Sequence, residues 1–422
     1  MNSSSSSAPA ANSEAGSGRT AIHARPFVFK ILLAVSLIHL LNDTMQSVIP
    51  AVSLILEETM SLTYTQVGLI AFTLNLTAAL LQPVIGLYSD ARPTPLLLPL
   101  GMVFSLLGML GLSVAPSYSW VLVSVMLVGI GSAVFHPEAA RVAFLAAGPR
   151  RGLAQSIYQV GGNAGQSLAP ILAILIFVPF GQFGAIWFTF AAGLAIIFQL
   201  MIARWYSNAM QETAVPTKSK KRRAHANAFK GRIRLALLLV ILFIFARSWY
   251  HAGISSFYPF YLMEKYGMNI EQTQVFIFLF AIAGVVGTFI GGPLADWLGR
   301  KKVLIASMLG AAPLTILLPF ANPFWSYVLL ALIGLILLSS FSVMVVYAQE
   351  LIPGKVATAS GLTIGLAFGL GAAGSFVWGK LADSIGLENV MLWTSWLPLI
   401  GLIAFMLPSD EQISEWTKEE SV

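Results

Sequence analysis

Twelve apolar stretches, each about 20 to 30 residues long, follow one another between about residues 27 and 408, with mostly short polar connections. A hydrocarbon layer about 30 Å thick is crossed by about 20 apolar residues in a helix. Inside lipid every backbone N–H and C=O must find a partner within the protein, so stretches of this length must be helical. They fall at approximately 27–56, 64–89, 95–115, 117–146, 151–177, 182–207, 233–263, 271–297, 302–321, 324–350, 356–381 and 388–408, with ends placed to about 2–4 residues. Only 10% of the residues are charged, against about 25% in a soluble domain, too few to cover a water-facing surface. The fold class is therefore all-α membrane protein with 12 transmembrane helices.

Lys and Arg give the orientation. With both termini on one side, only Lys265 and Lys380 of the 24 basic residues fall on the opposite side, and Arg247 lies within a span. That asymmetry predicts cytoplasmic termini. Residues 1–25 are rich in Ser, Ala and Gly and read as a disordered cytoplasmic tail. No cleavable signal peptide is evident, because the first apolar stretch is too long and retains polar residues. Segment 209–232 is the one long polar break, and it contains Lys218-Ser-Lys220-Lys221-Arg222-Arg223. Such a run reads as a nucleic-acid patch or nuclear signal, or as a cytoplasmic linker near anionic headgroups. The latter fits its place, dividing the spans six and six into halves 26–208 and 233–408, with 409–422 as a cytoplasmic C-terminal tail. The net charge of +6 resides in loop clusters and signals no nucleic-acid partner.

The chain has no cysteine, which excludes disulfides, thiolate nucleophiles and Cys-ligated zinc. Five scattered histidines form no HxxxH pair, so no metal site is expected. No nucleophile–base pair or phosphate loop of recognisable spacing points to an enzyme. No cofactor is expected other than a proton gradient.

Two loops repeat. Gly86-Leu-Tyr-Ser-Asp90-Ala-Arg92 closes the second span, and Gly292-Pro-Leu-Ala-Asp296-Trp-Leu-Gly299-Arg300-Lys301-Lys302 closes the eighth. Corresponding positions in two six-span halves are the mark of a large transporter class. The second copy resembles the GxLxDxxGRKK loop of the major facilitator superfamily. Glycine permits a tight turn, aspartate can face a helix N-terminus, and the basic residues stay at the headgroups. The first copy is degraded, with Pro93 and Thr94 roughly where Gly and Arg would follow, so a gating pair there rests on Asp90 and Arg92. In the superfamily such loops latch the cytoplasmic face. Glu138 and Glu350, each ending the fourth span of its half, read as latch partners of Arg92 and Arg300. Glu138 also reads as a direct proton carrier.

Polar groups inside spans are costly and are functional candidates by default. In the first span His39, Asn42, Asp43 and Gln46 have i, i+3, i+4, i+7 spacing and form one polar stripe. Asp43 lies about 24 Å along the span at 1.5 Å per residue, well below the headgroups. A carboxylate balanced between desolvation and a neighbouring cation is what proton coupling needs. Asp43 thus reads as proton carrier or structural anchor, and His39 as relay or packing residue.

The seventh span holds Arg247, Trp249, Tyr250 and His251, then Tyr258. In a two-fold arrangement it faces the first span across the central cavity. Arg247 is then expected to balance Asp43 until an anionic substrate takes the arginine, whose planar fork grips phosphonate or carboxylate. The alternative is a local salt bridge, or a cation–π pair with Trp249 or Tyr250. Pro137 kinks the fourth span beside His136, a second candidate in proton coupling. In the fifth, Gln159, Asn163 and Gln166 form another polar stripe, and Gln159 and Asn163 read as substrate contacts or as interhelix bonds.

Taken together, His39-Leu-Leu-Asn42-Asp43, Phe135-His136-Pro137-Glu138, Leu153-Ala-Gln155-Ser-Ile-Tyr158-Gln159-Val-Gly161-Gly162-Asn163 and Tyr347-Ala-Gln349-Glu350-Leu-Ile-Pro353-Gly354 resemble the fosmidomycin-resistance family of bacteria, drug–proton antiporters of the major facilitator superfamily. The resemblance spans nearly the whole chain apart from tails and linker. It implies two pseudo-symmetric six-helix bundles, residence in the bacterial inner membrane, a monomer, and proton-driven export of a phosphonate bearing a hydroxamate. The residues alone leave direction open, since uptake of an organic anion with protons would use the same Asp43 and Arg247.

Overall fold

The computed structural model describes residues 27–62, 64–213 and 229–417. The N-terminal tail at 1–25 and the basic run of the linker lie outside the described residues. Nine helices among them are long and apolar enough to cross a bilayer. Three further segments complete the expected twelve: the broken first span, the shorter apolar helix Leu97–Ser113, and the fifth span with its polar stripe.

The first span departs from the expected single helix. It runs as Phe29–Ser47 and Ile49–Met60, interrupted at Val48. Pro50 has no N–H to give to the carbonyl of Gln46, which breaks the bonding ladder there. The second, third and fourth spans are Tyr64–Ala91, Leu97–Ser113 and Tyr118–Ala146. The fifth is Arg151–Leu172, continued by the π-helical Ala173–Phe177, and the sixth is Trp187–Thr213. In the second half the seventh to ninth are Lys230–Tyr266, Ile270–Leu298 and Arg300–Leu317. The tenth breaks at Ser339 into Pro323–Leu338 and Ser340–Leu351, the eleventh is Val356–Ile385, and the twelfth joins Leu387–Ser395 to the 3-10 helix Leu397–Met406.

Each half has its own core. One gathers Leu32, Met102, Phe135 and Tyr206; the other gathers Phe243, Phe280, Met308 and Tyr347. Apolar side chains such as Leu80, Phe190, Ile197 and Met201 stay more than 45% exposed, as lipid-facing surfaces require. The C-terminal stretch is not simply a tail. Asp410–Thr417 is a helix whose Ile413 and Trp416 are buried, and Trp416 stacks on Phe229 at 5.9 Å.

The halves meet near the ends that carry the two repeated loops, here termed the loop face. Gly86 brings the second span so close to the eleventh that a Cβ there would lie 2.8 Å from Thr358 Cα. Gly152 and Gly292 play the same part between the fifth and eighth spans, each leaving no room for a Cβ against the other's carbonyl. Deeper in, the Ser156 hydroxyl donates to Thr288 O at 2.8 Å. Glycine at these positions lets two backbones touch across the interface between halves.

Candidate functional site

Asp43 sits beyond this closure, in the first span and 2% exposed. His136 Nε2 approaches its Oδ1 at 3.3 Å, and His39 Nε2 its Oδ2 at 3.4 Å. Three amides surround the same carboxylate. Asn42 Nδ2 and Gln46 Nε2 donate to Oδ1 at 3.0 and 3.3 Å, and Gln166 Nε2 donates to Oδ2 at 2.9 Å. The two imidazoles are fixed from behind. His39 Nδ1 donates to Tyr158 O at 2.8 Å and its ring stacks on Tyr158; His136 Nδ1 donates to Ser132 O at 2.9 Å. Gly162 makes the gathering possible, because a Cβ there would collide with His39 Nε2 and lie 2.8 Å from Asp43 Oδ2.

A carbonyl can only accept, so both Nδ1 atoms carry hydrogen, and the Nε2 atoms, with or without a proton, are what face Asp43. An Nε2 lone pair facing a carboxylate is repelled unless a proton or another cation lies between them. The arrangement is therefore built to hold positive charge. One atom from each of His39, Asp43 and His136 lies within 4.8 Å of the others, so the expectation of no clustered metal ligands is corrected. The sequence rule looked for histidines four apart on one helix, whereas these ligands come from two spans.

A cavity of about 380 Å³ lies between the halves on the far side of the closure from the loop face. Its wall includes Asn163, Arg247, Ser248, His251, Ser255 and Phe368. A smaller cavity of about 210 Å³ is lined by Asp43, Gln46, Ser47 and Pro50, at the break in the first span. Asn75, Gln166 and Phe368 belong to both walls, so the space beside Asp43 adjoins the central one.

Arg247 does not pair with Asp43, whose neighbours are two imidazoles and three amides. Its guanidinium lies over the Phe341 ring at 4.4 Å, and among the described residues it has no carboxylate partner. The expected cation–π contact exists, but with the tenth span in place of Trp249 or Tyr250. Tyr250 and Tyr258 do not line the central cavity. They border a separate small cavity with Thr315 and Met391, and neither hydroxyl has a partner there. Trp249 packs on Phe245 and Trp378. A helix of 3.6 residues per turn turns Trp249 and Tyr250 away from the side on which Arg247 and His251, one turn apart, face in; Tyr258 shares that side but lies beyond the residues of this helix that line the cavity. In the fifth span Asn163 reaches the wall and donates to Thr288 Oγ1 at 3.0 Å, while the Gln159 amide is buried without a partner.

At the loop face each repeated aspartate crosses to the other half. Asp90 accepts from Ala357 N, Thr358 N and Thr358 Oγ1 at 3.1, 2.8 and 2.5 Å, capping the eleventh span. Asp296 accepts from Gly152 N and Leu153 N at 2.8 and 2.9 Å, capping the fifth. Glu350 binds Arg300 at 2.9 Å, as expected, and also Arg151 of the other half at 3.3 Å. Asp410 adds a bond from Arg300 N at 2.7 Å. Gly299 adopts φ +96°, a turn conformation that favours glycine.

The expected Glu138–Arg92 pair does not form. Glu138 is buried and accepts from the Tyr206 hydroxyl at 3.0 Å, while Arg141 is the cation beside Asp90 at 3.4 Å. Arg92 ends its helix in the loop and has no ion-pair partner among the described residues. Sequence reasoning placed Gln166 in the fifth-span polar stripe but gave it no partner, and did not single out Asn75, Arg151 or Asp410. Gln166 and Asn75 carried a signal, each being an amide within an apolar span; Arg151 and Asp410 lay in loops where charge is ordinary.

Comparison with known proteins agrees with this architecture. The Major Facilitator Superfamily matches residues 32–373. The chain is 53% identical to the uncharacterized MFS-type transporter YfnC of Bacillus subtilis (strain 168), covering 92% of this chain and 95% of that one. It is 46% identical to the fosmidomycin resistance protein of Escherichia coli (strain K12), covering 90% and 93%. Among solved structures, the proton:xylose symporter XylE superposes with a TM-score of 0.73 over 93% of this chain and 99% of that one at 15% identity. The fucose transporter FucP in its outward conformation gives 0.72 over 91% and 100%, also at 15% identity. An all-helical chain with repeated loop motifs, two helical cores and a cavity between them is thus a multi-pass membrane transporter, and it belongs to the Major Facilitator Superfamily.

Proposed function

We propose that this transporter expels a small anionic organic compound, of the phosphonate class that includes fosmidomycin, across the bacterial inner membrane in exchange for protons. The observation that carries the reading is the adjacency of two sites. A buried carboxylate faced by two imidazole Nε2 atoms adjoins a cavity whose arginine has no carboxylate partner among the described residues. The similarity to a relative named for fosmidomycin resistance supports the substrate class and the direction.

In this reading the loop face, which carries the basic loops, is the cytoplasmic one, as the excess of Lys and Arg there supports. The closed loop face and the cavity beyond it then describe an outward-facing carrier. In that state a drug anion leaves Arg247 for the periplasm, and a periplasmic proton enters between Asp43 and the Nε2 atoms of His39 and His136. Rocking of the halves about the midplane breaks the two aspartate caps and the Glu350 latch and exposes both sites to the cytoplasm. There the proton leaves and the next anion binds, so each cycle carries a proton inward as a drug anion moves out. This reading needs only a proton gradient and a single chain.

The test uses inside-out vesicles with an acid interior and a pH-sensitive dye, comparing wild type with Asp43→Asn. Fosmidomycin added to wild type is expected to release protons from the lumen, and the variant to show no drug-linked release. Absence of drug-linked proton movement in active wild-type vesicles would reject the exchange and favour uptake of an organic anion with protons. Unchanged coupling in Asp43→Asn would move the proton to Glu138, which lies outside the imidazole cluster.

A further inference from the structure

The cluster at Asp43 has dimensions that suit more than a proton. A tetrahedral zinc-type ion held by nitrogen and oxygen at about 2.0–2.1 Å has ligand atoms about 3.3–3.4 Å apart. His136 Nε2 stands 3.3 Å from Oδ1 and His39 Nε2 3.4 Å from Oδ2, and one ligand atom from each of the three residues lies within 4.8 Å of the others, so the carboxylate can meet an ion shared with both rings. The tautomers are also those of metal ligands. Each Nδ1–H is spent on a backbone carbonyl, which fixes the ring and leaves the Nε2 lone pair free toward the centre. Behind the carboxylate stand the amides of Asn42, Gln46 and Gln166, the kind of support that ligating carboxylates receive in metal sites. The 210 Å³ cavity that Asp43 lines supplies an entry path and room for a water as fourth ligand.

We infer that His39, Asp43 and His136 form a binding site for one divalent transition-metal ion of the zinc type, with its fourth position open to the cavity. Two imidazoles and one carboxylate favour zinc or cobalt over magnesium or calcium, which take oxygen ligands. All three ligands belong to one half, so the ion does not bridge the halves. It occupies the same carboxylate that the proposed exchange uses. The inference uses the geometry of that site and does not depend on what the carrier exports or in which direction.

The test is cobalt binding to the full-length protein, purified in detergent without a histidine tag. The chain has no cysteine, so thiolates contribute nothing to the signal. Expected is one equivalent of Co²⁺ with the intense visible absorption of a tetrahedral nitrogen–oxygen site, displaced by one equivalent of Zn²⁺. Asp43→Asn and His136→Gln abolish the signal, whereas His251→Gln, in the other cavity, retains it. Gln166→Ala weakens binding by about 10–100-fold, as loss of support behind a ligand does. If Asp43→Asn does not elute as a monodisperse protein, His39→Gln takes its place. A wild-type protein that gives only the weak spectrum of hydrated cobalt, or a signal that survives His136→Gln, overturns the inference. Because the readout is binding in detergent, loss of drug-linked proton movement in vesicles would leave it standing, and the converse holds too.

Discussion

Asp90 makes all three of its capping bonds to the other half of the protein, so removing it acts on the balance between conformations. Its bonds to Ala357 N, Thr358 N and Thr358 Oγ1 exist only while the loop face is closed. Replacing a capping aspartate by alanine costs about 0.5–2 kcal/mol. The charge-assisted character of these bonds places Asp90→Ala in the upper part of that range, at about 1–2 kcal/mol. None of that cost is shared by the open state, where the two halves have separated. The ratio of closed to open loop face should therefore fall about 5–30-fold. Asp296→Ala removes the equivalent cap at Gly152 and Leu153, and the two changes are far enough apart to add, giving about 2–4 kcal/mol together. The absence of native cysteine makes the assay clean. A single cysteine at Ser255, in the wall of the cavity, is labelled by a membrane-impermeant maleimide from the face opposite the loops. Labelling should slow in either variant and slow further in the double variant. Equal labelling rates in wild type and double variant, with both folded, would refute the idea that the caps hold the closed state.

The remaining expectations concern the closure, the cavity and the cluster. Gly292→Val puts a branched side chain against the Gly152 carbonyl, so the loop face cannot close; Ser255→Cys should lose labelling from the far face while the protein remains monodisperse. Arg247→Ala removes charge-assisted bonds worth about 1.5–3 kcal/mol, so drug affinity in equilibrium binding should fall about 10–150-fold, with Arg247→Lys in between. Unchanged affinity in Arg247→Ala would remove the anion from that position. Gly162→Ala forces a Cβ against His39 and Asp43 and should cost about 1–3 kcal/mol of thermal stability, because overpacking a filled site strains it. Drug-linked proton release in vesicles should fall with it, and normal coupling at normal stability would contradict the packing described.

The division of this protein between what sequence determined and what tertiary structure decided follows from the range of the forces involved. Spans were readable because the bilayer sets a fixed apolar length, and the two-half organisation because loop motifs recur at the same place in each half. The stripe of His39, Asn42, Asp43 and Gln46 was readable because helical periodicity places those residues on one side. The break at Val48 was harder to see, since Pro50 signals a disturbed helix without saying whether it bends or stops. Which partner meets each side chain lay beyond periodicity altogether. Asp43 was expected to face Arg247 across the cavity, yet its neighbours are His136 and Gln166, and Gln166 stands 123 residues away. Arg141, and not Arg92, stands beside Asp90, because the fourth span packs on the second, whereas the loop arginine is exposed. Such contacts depend on how helices cross, which is set by the summed packing of whole faces and by the glycines that let Gly162, Gly152 and Gly292 sit against another span. A single chain records the periodicity of each helix locally, but the crossings arise only when all the spans pack together.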